Sequence, residues 1–192
     1  ISLRFMGQVA KNGSMPLVMV GSLTSAFAKA IFQTSKYFQY GVRSGNKIDG
    51  IIQETIDLRL EAIGKGSTIF HVSGKTSPDL FGKSIIQSSL ENTFALLESD
   101  SADTIIDNIN IVGTKSVKHF ADFFKELSDD NLELEVSWLN PSNEQKLWKG
   151  TKEKILSFYN TLTNIELNEP EEVTYTGEII TLSLRGKLEV ET

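Results

Sequence analysis

Residues 55–73 hold two apolar–polar alternations joined by a short glycine-rich turn, and this pairing limits what the whole chain can fold into. Ile56, Leu58, Leu60 and Ala62 alternate with Asp57, Arg59 and Glu61, which gives a strand one apolar and one charged face. Gly64-Lys65-Gly66-Ser67 then turns the chain into a return strand, Thr68-Ile69-Phe70-His71-Val72. So short a turn joins antiparallel neighbours, because parallel strands need a longer crossover. A doubly wound, all-parallel sheet is therefore not expected.

The remaining patterns supply further elements. Ser2 to Val9 reads as a strand with Leu3, Phe5 and Gly7 on one face, and Lys11-Asn12-Gly13-Ser14 as a turn. Val20, Leu23, Phe27, Ala30, Ile31 and Phe38 recur at helical spacing between Pro16 and Gly41, so the spacing predicts a helix over 17–40. Residues 41–53 read as a loop. Ser77-Pro78-Asp79 is a helix start, and Leu80, Phe81, Ile85, Phe94 and Leu97 extend that helix over 78–98. Residues 105–112 are short and aliphatic and fit a helix or a strand alike. Val117, Phe120, Ala121, Phe124 and Leu127 follow the helical period after Gly113. Leu132, Leu134, Val136 and Trp138 alternate with Glu133, Glu135 and Ser137, a second half-buried strand that Asn140-Pro141 ends. Ser142 followed by Gln145 has capping-box spacing. It predicts a helix through Leu147, Trp148, Ile155, Tyr159 and Leu162, kinked at Gly150.

The expected fold class is α+β: an antiparallel or mixed sheet with helices packed mainly on one face, plus a C-terminal β-hairpin. The expected organisation is an α+β domain over 1–163, an acidic connector over 164–172, and a hairpin over 173–192 turning at Arg185-Gly186-Lys187. A lone hairpin is marginal in water. This one is expected either to join the main sheet or to begin a small β-barrel, the start of a truncated second domain.

Composition narrows the chemistry. The chain has no cysteine, which excludes disulfides, zinc thiolate sites and cysteine nucleophiles. Nineteen basic residues against twenty-five acidic give a net charge of −6, so a chain-wide basic footprint for nucleic acid or anionic lipid is absent. No uninterrupted apolar run approaches the roughly 20 residues of a membrane span, and no membrane partner is expected. A cytoplasmic location fits these features, and the Lys, Ile, Asn and Ser-rich, Pro-poor usage has a bacterial or phage-like cast.

Candidate sites each have a plainer reading. Gly74-Lys75-Thr76 lies between a strand and a helix, but Ile69 stands where a phosphate-binding loop needs its first glycine. Gly113-Thr114-Lys115-Ser116 precedes a helix, with threonine in place of the glycine before the lysine. His71 sits mid-strand opposite Phe70 and Val72, and His119 on the polar side of its helix. Neither is accompanied by a nucleophile-elbow serine. Asp57, Arg59, Glu61 and His71 share one face of the 55–73 hairpin, where a catalytic cluster and a solvated face look alike. Glu133 and Glu135 lack the lysine that a metal-dependent nuclease strand carries, and Glu144-x-Lys146 has those letters on a helix start. No catalytic residue, metal ligand or cofactor is assigned.

The leading expectation is a non-enzymatic interaction module that binds a protein partner or self-assembles through an exposed strand edge, because a free edge is a template for another chain. The alternative is nucleic-acid binding through a lysine-rich helix (Lys146, Lys149, Lys152 and Lys154) together with an OB-like C-terminal β element; Lys36, Arg43 and Lys47 form a second basic group. A third reading is an enzyme built from scattered residues.

Overall fold

A computed structural model of the chain describes residues 1–41, 50–64, 68–76, 84–165, 178–182 and 188–191. Five strands form one open antiparallel sheet. They are β1 (Ser2–Met6), β2 (Arg59–Gly64), β3 (Thr68–Ser73), β4 (Glu133–Leu139) and β5 (Gln145–Gly150), in the order β2-β3-β1-β4-β5. β1 is the central strand. Leu3 lies opposite Phe70 on one side and Val136 on the other, and Phe5 opposite Thr68 and Leu134. These residues share the inner face, and Leu3, Phe5, Phe70, Leu134 and Val136 are all buried there. The outer face carries Arg4, His71, Gln145, Leu147 and Lys149, all exposed. A sheet buried on one face alone needs the alternation seen in the sequence.

Helices cover the inner face: α1 (Leu17–Tyr40), α3 (Ile85–Leu97), α4 (Ala102–Val112), α5 (Thr114–Asp129) and α6 (Lys152–Asn164), with a short α2 (Gly50–Ile56) before β2. Their apolar stripes and the inner sheet face form one core. Aromatic rings fill its centre: Phe94 of α3 stacks on Trp138, while Phe124 of α5 and Phe158 of α6 meet Trp148 edge-on. Such pairs add stabilisation beyond the area they bury. The expected α+β architecture, with helices against one sheet face, is what forms. Strands β6 (Glu178–Leu182) and β7 (Leu188–Glu191) pair antiparallel as a separate two-stranded sheet. The turn Arg185-Gly186-Lys187 and the connector residues 166–172 lie outside the described residues, as do Ser77-Pro78-Asp79, Arg43, Lys47 and the Lys65-Gly66-Ser67 turn.

Several local expectations are corrected. The last part of the 41–53 loop is helical, because Ile52 and Ile56 of α2 fall one turn apart and both enter the core. Ile56 therefore ends a helix, Asp57 takes a left-handed φ of 37°, and the strand begins only at Arg59. The helix read over 78–98 is described from Ile85, where Ser84 caps it by accepting from the Gln87 amide. Residues 105–112 are helical: Ser101 and Thr104 form a reciprocal capping box, and Ile105, Ile109 and Val112 share its buried stripe.

The largest correction is at 142–150. This segment is not the start of a helix; it is a hairpin turn followed by β5. Asn140 closes the turn, accepting from the Glu144 amide at 2.8 Å and donating Nδ2 to the Glu144 carboxylate at 3.0 Å. Gly150 is no kink. A Cβ there would come within 2.4 Å of the Trp148 indole, so the glycine makes room for that ring. The helix begins after it, capped by Thr151.

Although no uninterrupted apolar run in the sequence reaches the length of a membrane span, α1 as a whole is long and apolar enough to cross a membrane by length and composition alone, with 44% of its apolar stretch buried. Leu23, Phe27, Ala30 and Ile31 sit in the core described above.

Candidate functional site

The sheet has two edges, β2 and β5, and they differ. Every side chain of β2 from Arg59 to Ile63 is exposed. Leu60 and Ile63 face the helix side, opposite Val72 and Phe70, yet 45% and 49% of their surfaces remain accessible because no described element reaches over the edge. Arg59 and Ala62 lie on the outer side, opposite Ser73 and His71. One extra residue between Leu60 and Ala62 shifts the register, and Ser73 donates a hydrogen bond to that residue, Glu61, drawing it to the outer side as well. β5 presents Gln145, Leu147 and Lys149 outward, with Lys149 3.5 Å from Glu135.

The residues singled out as a catalytic cluster on this hairpin resolve into separate local contacts. Arg59 donates Nε to Asp57 at 2.9 Å and its Nη2 lies 2.7 Å from the same carboxylate, which holds the Asp57 pKa below its ordinary value and raises that of Arg59. His71 Nδ1 pairs with Ser2 Oγ at 3.0 Å on the exposed outer face. A serine–histidine contact is half of a nucleophilic device, but among the described residues no carboxylate bonds the other ring nitrogen.

The four lysines of the nucleic-acid alternative do not share a helix. Lys146 is on the inner side of β5 with its ammonium over the Phe94 ring, 5.9 Å from the centroid. Lys149 is on the outer side of the same strand, beside Glu135. Lys152 and Lys154 open α6, and Lys154 lies over the Trp148 ring at 5.2 Å. Lys36, from the second basic group, is buried.

The two helix-start motifs are structural. A Cβ on Gly74 would meet the Ile86 side chain at 2.0 Å, so that turn is packed against α3. Ser116 of the second motif is buried between helices, bonded to Thr34 at 2.6 Å and donating to the Ala30 carbonyl at 2.9 Å.

Sequence reasoning missed a groove of about 640 Å³ bordered by α1, α5 and α6, with Gln33, Lys118, His119 and Asp122 in its lining. His119 and Asp122 also line a second depression of about 330 Å³ beside Ser22 and Glu126. Burial lowers the His119 pKa, and Asp122, 3.7 Å from Nδ1, partly restores it. The nearby Ser22 hydroxyl donates to Glu126 at 3.2 Å. The i, i+3 spacing of His119 and Asp122 is the signal that was legible. Among the described residues, no group of three or more His, Asp or Glu side chains could hold a metal ion. Among the described residues, the geometry offers an outermost strand with exposed side chains and no assembled nucleophile, base and orienting acid. Compared with models of protein families, with characterised proteins and with solved structures, the chain matches none.

Proposed function

We propose that this protein is a non-enzymatic interaction module whose β2 edge takes up a strand from a protein partner, extending the five-stranded sheet. The observation that carries this reading is the exposure of every β2 side chain from Arg59 to Ile63, with Leu60 and Ile63 half open to solvent. Added strands gain affinity from main-chain hydrogen bonds and specificity from alternate side chains. β5 is less suited to this role, since lysines are a standard means of blunting an edge and it carries Lys146 and Lys149. The reading places the protein in the cytoplasm, supported by the absence of cysteine and by the burial of the apolar α1 residues in the core. Nucleic-acid binding would have to work through lysines divided between two elements and two sheet faces.

A photoreactive side chain introduced at Ile63 tests the proposal. It is expected to give protein adducts that Leu60→Lys suppresses, while the same probe at Leu147 on β5 gives none. No adduct at Ile63, or adducts indifferent to Leu60→Lys, would overturn it.

A further inference from the structure

Building on the reading of β2 as a strand-accepting edge, we infer that the strand it accepts is β2 of a second copy of this chain, paired antiparallel about a two-fold axis at Leu60. The argument is charge complementarity. Leu60 is flanked by Arg59 and Glu61. In an antiparallel pair centred on Leu60, that residue meets itself. Arg59 then faces the partner subunit's Glu61, and the symmetry makes this contact twice. Opposite charges directly across a strand pair are stabilising and like charges are not. Arg59 and Glu61 both lie on the outer side of the sheet, so the two ion pairs would form there, with Leu60 on the helix side.

Strands β5, β6 and β7 lack this property. Within its bounds β5 has only positive charges, Lys146 and Lys149, while β6 and β7 have only glutamates. Self-pairing β5 about its centre sets Lys146 against Lys149, self-pairing β7 about Val190 sets Glu189 against Glu191, and β6, with Glu178 alone, gains no opposite-charge contact. The topology is also compatible. A two-fold axis normal to the sheet keeps both helix layers on the same side, so the product is a continuous ten-stranded sheet with a shared core side. Such an interface is isologous, the same patch meeting itself.

The experiment is sedimentation equilibrium of the full chain from about 1 μM to 1 mM, a range covering ordinary to weak pairs. The unsubstituted chain is expected to show a monomer–dimer equilibrium. Arg59→Glu and Glu61→Arg, both at exposed positions, should each weaken association at least about tenfold, because like charges then face each other. An equimolar mixture of the two single variants should regain the dimer, since each supplies the charge the other now opposes. The doubly swapped chain R59E/E61R should regain it alone. A chain that stays monomeric throughout, single variants that associate as tightly as the parent, or a mixture that fails to recover would each overturn the homotypic pairing. A monomeric parent that still gives Leu60-dependent photo-adducts with another protein would overturn only this inference. Loss of those adducts as well would remove the edge-binding reading with it.

Discussion

At Gly113 the backbone passes from α4 into α5 with φ at 85°, and a Cβ there would stand 2.5 Å from the Tyr37 ring. Two separate demands, a left-handed backbone and a close helix approach, fix glycine at this point. Gly113→Ala is expected to cost about 2–4 kcal/mol, read as a lower urea midpoint at unchanged slope. In the sequence the same glycine stands beside Thr114-Lys115-Ser116 and resembles a phosphate loop, because residue letters carry no record of what a hydroxyl touches. His119 makes a similar point about charge. Burial holds its pKa below the ordinary 6.5, so on acidification the unfolded chain takes up this proton first. Its contribution to stability is therefore full above 6.5, declines as the pH falls through that value, and levels off below the folded pKa. A proton NMR titration should place the His119 midpoint below 6.5, and Asp122→Asn should move it lower still, since the Asp122 charge raises it. A midpoint at or above 6.5 would contradict the packing assigned to this ring.

Among the elements, helices with a clean stripe and strands with a clean alternation were readable, and β5 was not. Val117, Phe120, Ala121, Phe124 and Leu127 announce α5 because five buried positions keep one period over three turns. β5 has six residues, and Leu147 beside Trp148 hides its alternation, while Ser142 and Gln145 imitate a cap. What decides this segment is pairing with β4, with Val136 opposite Trp148 and Leu134 opposite Gly150, a long-range fact that local spacing does not contain. One part of the join between α1 and its neighbours was equally hidden, because it is polar. Thr34 bonds Ser116 at 2.6 Å and Ser35 bonds Ser89 at 2.8 Å, all four buried. Buried hydroxyls are tolerated when they satisfy one another, and losing one partner strands the other. Ser116→Ala should therefore destabilise by about 1–3 kcal/mol, while adding Thr34→Val to it should cost less than the sum of the two single changes. Strict additivity in chemical denaturation would mean the two hydroxyls do not interact.

For the molecule as a whole, the alternations of β1 and β4 and the helical stripes were enough to give a sheet covered on one face, but not the strand order. The order depends on Ser2 meeting both His71 and Ser137, residues remote in sequence and unmarked by any motif. The edge strands follow from that order, and so does the candidate site. Leu60, read in sequence as one of an apolar strand face, is half exposed because β2 ends up outermost with no described helix above it. Exposure of this kind has a thermodynamic signature if two edges close on each other. Unfolding a dimer yields two chains, so mass action favours the folded form as protein concentration rises. Each tenfold rise adds about 1.4 kcal/mol per dimer, or half that per chain, which for a chain of this size raises Tm by about 2 °C. The parent chain should show this slope in calorimetry above its dissociation constant. Arg59→Glu should show this slope only at concentrations at least about tenfold higher, because its association is weaker by that factor. A parent Tm that does not move across three decades of concentration would mean that β2 folds, and functions, without a copy of itself.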